Sequence, residues 1–551
     1  MVATHAVTNQ VPPLVGHDTA DDPSLLEGLR REGAGWAEDA VHELGRLAGT
    51  AQAQEWGRVA NENEPVLRTH DRYGNRIDEV EYHPAYHELM TVAVEQGMHA
   101  APWRDEREGA HVARAAKFYL WGQVEAGHAC PISMTYAAVP ALRHSPELAG
   151  RFEPLLAATA YDPGLRAPET KQGLTAGMSM TEKQGGSDVR ANTTRAVSRP
   201  DGSYLLTGHK WFTSAPMCDV FLVLAQAASG SGVPQDGSGL SCYLLPRVLP
   251  DGTRNRMYLQ RLKDKLGNRS NASAEVEYDE AVAWLVGEEG HGVRTIIQMV
   301  NMTRLDCVIA GAAGMRAGLV QAVHHAGYRQ AFGGYLVDTP LMRNVLADLT
   351  IESEAATALA MRLAGATDRA VAGDEQSAAF RRIGLAVGKY WVCKRTSAHA
   401  AEALECLGGN GYVEESGMPR LYREAPLISI WEGSGNVAAL DVLRAMGSGT
   451  EAFFAEVSTA AGADRRLDDA VATLRAELGG LTDPVAAQAG ARRLVERMAL
   501  VLQGSLLVRY GHPAVADAFC ASRLGGDWGI AFGTLPSGVD TAAILERARV
   551  K

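Results

Sequence analysis

The chain has 551 residues, enough for three or four domains of ~100–200 residues each. Hydrophobic residues make up 46% of it, so a large core can be buried, and the formal net charge is −12. This balance excludes a protein coated in basic surface, although it leaves room for a local basic patch.

The cysteines and the N-terminus indicate a cytoplasmic location. Seven cysteines are scattered along the chain, with an odd count and no C-x-x-C pair, so we expect no disulfide framework. Residues 1–22 are polar, lack the apolar core of a signal peptide and predict an extended arm. No run approaches the ~18 apolar residues of a membrane span, so we expect no membrane partner.

The first third shows helical periodicity and predicts an all-helical domain. Asp22 or Ser24 can cap the first helix, and Pro84 suits the first position of a later one. Residues 71–75 predict a turn. His83 and His87 stand four apart and could share a metal, but no carboxylate or cysteine completes a set. We therefore interpret them as a polar helix face and predict no metal site.

Near residue 172 the period changes from helical to the alternation typical of strands. A Pro-Asp-Gly turn at 200–202 joins two of these strands, and a Gly/Ser-rich loop joins two others. The predicted strands are 174–181, 193–197, 204–207, 220–226, 240–246, 257–262 and 274–278.

From Val293 the helical period returns for about 150 residues. Segments 291–332, 339–371, 374–407 and 434–446 predict a four-helix bundle, with Pro340 opening the second helix and Gly408 stopping the third. Gly447–Gly449 predicts a linker-like break. Helical patterns follow at 470–478, 486–507 and 515–521.

These segments predict an α+β fold with four parts. They are an arm and α-helical domain (1–171), a β domain (172–290), a four-helix bundle (291–446) and an extra C-terminal helical region (447–551).

The most informative stretch is Gly177–Asp188, a strand pattern that ends in a polar glycine loop. Thr181 and Ser187 offer small donors and acceptors, and two adjacent glycines let backbone approach a planar ligand closely. The pattern is neither a P-loop nor a dinucleotide fingerprint, and an ordinary hairpin loop is the alternative interpretation. M-T-E-K-Q-G-G-S-D resembles the first flavin-binding signature of the acyl-CoA dehydrogenase family, and most closely that of its AidB branch. The predicted order of helices, strands and bundle is similar to that family's fold.

A second block, His209–Ser214, follows the predicted hairpin. Trp211 can form a flat wall for an isoalloxazine ring, and Thr213 or Ser214 can bond the ring edge. A core tryptophan is the alternative. The resemblance implies flavin contacts at 212–214.

Two further blocks resemble family motifs that reach the FAD of a neighbouring subunit. In Tyr328–Gly333, Arg329 suits a pyrophosphate, since its guanidinium is planar and permanently charged. A solvated arginine at a helix end is the alternative. Glu405–Tyr412 resembles the second signature, whose glycines admit the adenosine half. If this carries over, the protein is at least a dimer.

The fifth block is Ile430–Leu440, in which Glu432 aligns with the family's catalytic base. Burial would raise its pKa, whereas a helix beginning near Ser434 would favour its anionic form. A capping role is the alternative. Near Arg304, Asn301 and Leu305 depart from the acid and proline that many family members carry, which puts ordinary CoA binding in doubt.

The resemblance implies Glu432 as the catalytic residue and Thr181, Ser187 and Arg304 as substrate contacts. The FAD contacts that it implies are Met178, Met180, Thr181, Gly186, Ser187, Trp211, Phe212, Thr213, Ser214, Arg329, Phe332, Glu405, Gly408, Gly409, Ile430, Trp431, Gly433, Ser434 and Asn436.

The implied function is FAD-dependent oxidation of a small molecule such as a short branched acyl-CoA, in a homotetramer built as a dimer of dimers. The AidB branch is also linked to the alkylation-damage response and binds double-stranded DNA through its C-terminal region. Here residues 451–551 hold 11 Lys or Arg against 12 Asp or Glu, and only Arg492, Arg493 and Arg497 form a short basic face. The alternatives are a DNA-associated protective flavoprotein without dehydrogenase turnover, and a flavin oxidase of a nitrogen-containing metabolite.

Overall fold

A computed structural model describes residues 4–228 and 239–550. The predicted Gly/Ser-rich loop at 229–238 lies outside the described residues. The described helices, in chain order, are α1 Pro23–Arg31, α2 Glu38–Ala48, α3 Ala51–Glu62, α4 Pro84–Glu95, α5 Ala101–Arg104, α6 Ala110–Gly122, α7 Ala129–Leu142, α8 Pro146–Leu156, α9 Gly292–Tyr328, α10 Pro340–Val371, α11 Glu375–Glu405, α12 Met418–Glu424, α13 Gly435–Arg444, α14 Ser448–Ser458, α15 Arg465–Gly479, α16 Pro484–Tyr510, α17 Pro513–Phe519 and α18 Thr541–Ala548.

The described strands are β1 Val66–His70, β2 Arg76–Glu81, β3 Ala176–Ser179, β4 Arg195–Ser198, β5 Tyr204–Ser214, β6 Val220–Ala228, β7 Leu240–Pro246, β8 Met257–Leu262, β9 Ser273–Val286, β10 Gln330–Ala331 and β11 Gly334–Tyr335. All seven strands predicted between 172 and 286 are confirmed in type. β7 and β8 have the predicted bounds, and the other five have shifted ends.

The chain forms two compact units. The first comprises residues 1–54, 108–124 and 304–551, and the second comprises 55–107 and 125–303. The four domain boundaries predicted from the sequence stay a prediction.

The first unit is helical. α10 and α11 pack side by side, α16 and α18 pack on α10, and α13, α14 and α16 pack on α11. An apolar cluster joins α9, α10, α11, α12 and α18, with Leu319, Leu346 and Leu545 among its buried members. Asp22 caps α1 by accepting from the amides of Ser24 and Leu25, which decides between the two predicted caps.

The second unit contains a seven-stranded sheet that closes on itself. β6 pairs with β3 and β4 along one edge and with β7 along the other, and β7 returns to β9 beside β5. β6 and β7 are almost entirely buried, which explains their unbroken apolar sequences. The sheet therefore holds the ends of β3 and β5 in fixed register.

Two details of the prediction were wrong. The first third is not purely helical, because β1 and β2 form an antiparallel hairpin around the predicted turn at 71–75. β1 alternates exposed and half-buried residues, so it lacks the apolar face that reveals a strand. The break at 447–449 is confined to Gly447, at φ +93°, because α14 already begins at Ser448.

One described helix, α9, is long and apolar enough by length and composition to cross a membrane. In its most apolar window 72% is buried inside the protein, as in a packed core helix. The sequence prediction of no membrane partner stays a prediction.

Candidate functional site

The first two signature blocks meet at the end of β3. β5 carries a bulge at Trp211 and Phe212, which together face the single residue Glu275 on β9. The Trp211 amide donates to the Thr181 carbonyl (2.8 Å), so the two blocks are joined through the backbone. This contact places two predicted flavin residues side by side.

A buried ion pair ties the two blocks together. Lys210 Nζ donates to Glu182 Oε1 (2.9 Å), and both side chains have no solvent exposure. The same ammonium also donates to the carbonyls of Met180 (3.3 Å) and Leu224 (2.7 Å). Lys210 thereby joins the end of β3, the strand β5 and the strand β6.

The Glu182 carboxylate organises the loop that follows. It accepts from the amides of Thr193 (2.7 Å) and Thr194 (3.0 Å) and from the side chain of Gln184 (2.7 Å). Burial alone would raise the pKa of Glu182, but Lys210 and these donors hold that pKa well below its usual range. Burial also lowers the pKa of Lys210, to about 8. The glutamate is therefore an ionised structural group.

Gly185 and Gly186 in this loop are each required for a different reason. Gly185 has φ +143°, a conformation that L side chains rarely adopt. A Cβ on Gly186 would lie 2.4 Å from Thr181 Oγ1, so Gly186 makes room for the threonine. The loop itself, from Lys183 through Ser187, is exposed.

Trp211 is half-buried, and Phe212 beside it is half-exposed. Lys263 Nζ lies 3.1 Å from the centre of the Trp211 ring, and Glu275 accepts from Lys263 Nζ at 2.6 Å. A cation over an aromatic face is attractive, so the ring has one occupied face. The alternative of a purely core tryptophan is wrong, because Trp211 is not buried.

The other predicted residues of this unit are placed as follows. Met178 lies on β3 and is half-buried. Thr213 is fully buried, and its hydroxyl shares a hydrogen bond with Ser179 (2.6 Å). The Ser214 hydroxyl contacts that of Ser273 (3.2 Å). The ring-edge bond expected from Thr213 or Ser214 stays a prediction.

In the first unit, Glu432 stands on a strained turn just before α13. Its φ is +59°, which is uncommon for a residue with a Cβ, and that of Gly433 is +107°. Such strain persists only where surrounding contacts fix it, and it often marks functional sites.

Two buried cations fix this turn. Arg304 Nε donates to the Glu432 carbonyl (3.0 Å), and Lys389 Nζ donates to the Gly433 carbonyl. Arg304 also pairs with Asp441 on α13 (2.7 Å), which Arg382 holds from α11 (2.8 Å). Burial alone would raise the pKa of Asp441, but Arg382 and Arg304 hold it below its usual value.

The residues around Glu432 form a small apolar floor. Cys307, Cys393 and Ile428 are buried together, and Trp431 packs against them. The Trp431 indole Nε1 is a buried donor with no acceptor among the described residues. Ile430 is largely exposed, Ser434 directly precedes α13, and Asn436 is exposed in the first turn of that helix.

Arg329 directly precedes the short β10–β11 hairpin, and Phe332 lies in the turn of that hairpin. Arg329 Nη1 donates to the Asn9 carbonyl of the N-terminal arm (2.6 Å), and the Asn9 side chain bonds both backbone groups of Gln330. Phe332, at φ +53°, is fully exposed at the hairpin tip.

The Glu405–Tyr412 block ends α11 and continues as a 3₁₀ turn over Gly408–Tyr412. Glu405, Gly408 and Gly409 are exposed, and Gly408 has φ +60°. The predicted helix stop is thereby confirmed.

The sequence interpretation missed Glu182, Lys210, Lys389, Arg382 and Asp441. Lys210 could have been found from the sequence. It is an even number of residues from Leu206 on β5, so both side chains lie on the buried face of the strand. A charged residue at an inward position calls for a buried partner. No comparable signal named the partner.

The residues present fit a flavin. Thr181 and Trp211 are fixed beside an exposed loop, which suits a planar cofactor. No metal is needed for this fit. His83 caps α4, and His87 Nδ1 contacts the Tyr161 hydroxyl (2.9 Å), in agreement with their interpretation as ordinary polar residues.

Three family models match the chain. They are the adaptive response protein AidB N-terminal domain over residues 9–163, the acyl-CoA dehydrogenase middle domain over 177–281, and the acyl-CoA dehydrogenase C-terminal domain over 290–447.

Relatives agree with these matches. The protein AidB of Escherichia coli (strain K12) is 46% identical over 95% of this chain and 94% of its own length. Acyl-CoA dehydrogenase family member 11 of Caenorhabditis elegans is 34% identical over 80% of this chain and 73% of its own length. The crystal structure of Caenorhabditis elegans ACDH-11 in complex with C11-CoA superimposes with a TM-score of 0.86, at 28% identity, over 94% of this chain and 93% of the other.

Proposed function

Because the chain belongs to the acyl-CoA dehydrogenase family, in its AidB branch, we propose that it oxidises an acyl-CoA thioester with bound FAD. Members of this family are FAD-dependent oxidoreductases that act on CH–CH donors. The observation that carries the proposal is the joining of the first two signature blocks by the Glu182–Lys210 pair. It fixes Thr181 and Trp211 as one surface.

Each residue has a defined task in this proposal. Thr181, Trp211 and the 185–187 loop bind and orient the cofactor. Glu432 takes the α-proton of the thioester at its carboxylate, and the C–H electron pair becomes part of the new Cα=Cβ bond. When bound, FAD supplies the acceptor for the hydride from the β-carbon. Arg304 acts on the backbone of the base, and its predicted contact with substrate stays a prediction.

Anaerobic mixing with acyl-CoAs tests the proposal. Short branched chains follow the sequence prediction, and an eleven-carbon chain follows the ligand named for the Caenorhabditis elegans relative. We expect at least one to bleach the flavin absorption, and Glu432→Gln to slow bleaching on the order of 10²–10⁴-fold. No bleaching by any thioester would refute it. Peroxide release with a nitrogen-containing substrate instead would favour the oxidase alternative.

A DNA-associated protective role is the second candidate. It is supported by the similarity to AidB and by Arg492 and Arg493, which are exposed on α16. Against it, Arg497 pairs with Glu477, so one of the three charges of the short basic face is offset within the protein. A gel shift with duplex DNA at low salt decides, since absence of binding there removes this role.

We also propose a homotetramer in the cytoplasm. The exposed Phe332, Tyr412 and Val413 support a subunit contact, and seven buried free thiols suit a reducing compartment. Sedimentation equilibrium tests the assembly, and a monomer at micromolar concentration would contradict it.

A further inference from the structure

The β10–β11 hairpin is too short to hold its own shape. Each strand has two residues, and an isolated two-stranded hairpin is at best marginally stable in water. In its turn, Phe332 has φ +53°, which a residue with a Cβ adopts only where surrounding contacts fix it. The hairpin therefore needs support from another part of the chain.

The N-terminal arm supplies that support through the side chain of Asn9. Asn9 Nδ2 donates to the Gln330 carbonyl (2.8 Å), and Asn9 Oδ1 accepts from the Gln330 amide (2.8 Å). One side chain thus satisfies both backbone groups of Gln330, as a neighbouring strand would. Asn9 itself has φ +57°, in the left-handed region that asparagine tolerates better than most residues.

The main chain of Asn9 holds the preceding residue, Arg329. Arg329 Nη1 donates to the Asn9 carbonyl (2.6 Å), and the Arg329 carbonyl accepts from the Leu336 amide (2.9 Å). Because the guanidinium is a rigid planar fork, a bond to one of its nitrogens limits the directions of the others. Asn9 therefore fixes both the hairpin and the arginine at its base.

Further contacts anchor the arm along its length. His324 Nε2 on α9 donates to the Pro12 carbonyl (2.8 Å). The Gly16 amide donates to the Gly49 carbonyl at the end of α2 (2.7 Å), and a Cβ on Gly49 would lie 1.9 Å from a carbonyl oxygen of the arm. Residues 4–10 are all exposed, so polar contacts hold the tip of the arm in place of burial.

Arg329 carries a charge that has no carboxylate partner. Within residues 4–228 and 239–550, no acidic side chain forms an ion pair with it. The Asn9 carbonyl occupies one of the five N–H donors of the guanidinium, and the side chain is half-exposed. A planar cation with several unused donors suits a phosphate group, which it can bind through two parallel hydrogen bonds.

We propose that the N-terminal arm is a strap that positions Arg329 to bind a phosphate group of a nucleotide ligand. Asn9 is the positioning residue, because its side chain fixes the hairpin and its carbonyl directs the guanidinium. FAD and the CoA part of a thioester both carry phosphates, and FAD is the source that the sequence prediction for Arg329 names. The identity of the ligand rests on the proposed function, whereas the strap does not.

A double-mutant cycle in FAD binding tests the positioning role. Full-length apoproteins of the wild type, Asn9→Gly, Arg329→Met and the double variant are titrated with FAD. Glycine adopts positive φ readily and keeps the backbone carbonyl, so Asn9→Gly removes only the side-chain clamp. We expect Arg329→Met to weaken FAD binding ~10–100-fold and Asn9→Gly ~3–10-fold. In the Arg329→Met background, Asn9→Gly should add less than ~2-fold.

A merely structural role of the arm predicts a different pattern. If Asn9→Gly weakens binding by the same factor with and without Arg329, Asn9 does not act through the arginine, and the proposal is overturned. Gln10→Ala is the matched control, because the Gln10 side chain donates to the Thr8 carbonyl within the arm (3.0 Å). Its Kd should equal that of the wild type, and a loss as large as that of Asn9→Gly would also count against the proposal.

Hydrogen exchange tests the strap without any ligand. In the full-length apoprotein the Gln330 amide is protected by Asn9 Oδ1, so peptides that contain it should exchange faster in Asn9→Gly than in Gln10→Ala. Equal exchange in the two variants would show that Asn9 does not hold the hairpin.

A titration with free CoA identifies the source of the phosphate. The same four proteins are saturated with FAD and titrated by calorimetry, and we expect equal CoA affinities. Weaker CoA binding in Arg329→Met with an unchanged Kd for FAD would assign the phosphate to CoA, and unchanged affinities for both would overturn the proposal. Neither titration needs turnover. A wild type that binds FAD but is reduced by no thioester therefore refutes the proposed function and leaves the role of Asn9 to the cycle.

Discussion

The chain uses a glutamate twice, in opposite ways. In the second unit the Glu182 side chain is bound by Lys210 and by the backbone amides around it. In the first unit, Arg304 and Lys389 bind the backbone carbonyls of Glu432 and Gly433. The hydrogen bonds of the Glu182 carboxylate stabilise a loop, whereas those at Glu432 and Gly433 fix the backbone and not the carboxylate.

This difference in hydrogen bonding distinguishes a carboxylate with a structural role from one that can act as a general base. A carboxylate that accepts several buried hydrogen bonds is held in its ionised form and cannot take up a proton near pH 7. A general base must bind and release a proton, so its support has to come through the main chain or from a charge at a distance. Sequence position within a signature block does not distinguish the two cases, whereas the hydrogen bonds do.

The largest effect is expected at the structural acid. Lys210→Met removes the cation and leaves Glu182 buried without it, which should destabilise the second unit by about 3–5 kcal/mol. Flavin should be lost as well, because the two blocks would separate. Urea unfolding and the flavin-to-protein absorbance ratio measure both. If Lys210→Met has wild-type stability and retains flavin, the structural role assigned to the Glu182–Lys210 pair is wrong.

The pH dependence of folding stability tests the same ion pair independently of Lys210→Met. The folded-state pKa of Glu182 is depressed, so its contribution to stability is present above its unfolded pKa of about 4.5 and is lost as the pH falls toward the folded value. Wild-type stability should therefore fall between pH 5 and 3 more steeply than that of Glu182→Gln/Lys210→Met. Equal slopes would show that the pair is not ionised in the native state.

A smaller effect is expected at the turn that carries Glu432. Arg304→Met leaves the Glu432 carbonyl without its donor, whereas Asp441 keeps Arg382, so we expect a loss of about 2 kcal/mol. Arg382→Met is the matched control, because Arg382 is 41% exposed and holds no carbonyl of the turn. Thioester reduction should slow more in Arg304→Met than in Arg382→Met. Equal rates would assign Arg304 to the Asp441 pair alone.

Glycine geometry offers a milder way to disturb the second unit. Gly186→Ala places a methyl group against the stiff Thr181 side chain, for an expected loss of about 1 kcal/mol and ~10-fold weaker flavin binding. Gly150→Ala on α8 meets nothing within 4 Å and should be neutral or slightly stabilising. Flavin titration of the two apoproteins compares them. Unchanged affinity in Gly186→Ala would detach this loop from the cofactor.

The periodic helices and strands and the motif residues could be predicted from the sequence more fully than the residues that hold the motifs in place. Pro340 at the start of α10 and Gly408 after α11 act through local backbone chemistry, so each was readable from its own position. Lys389 and Asp441 act across helices, and a helical pattern shows that a face is buried without showing what meets it. The partner of Lys210 was hidden for the same reason.

The β1–β2 hairpin and Lys263 were missed for other reasons. The hairpin is short and mostly polar, so no alternation of apolar residues announces it. Lys263 directly follows β8 in a stretch rich in Lys and Arg, and its ammonium covers the Trp211 ring. Long flexible side chains choose their contacts only after the strands have paired.

The smallest expected effect has the opposite sign and tests why Glu432 is strained. Glycine tolerates φ +59° without the penalty that a Cβ brings, so Glu432→Gly should be more stable than Glu432→Gln by about 0.5 kcal/mol. Both variants lack the base and should be equally inactive toward thioesters. Urea unfolding of the pair isolates the backbone contribution. If Glu432→Gly is less stable than Glu432→Gln, the positive φ at residue 432 carries no strain. If it is more stable, Arg304 and Lys389 hold a strained backbone conformation that serves to place the carboxylate.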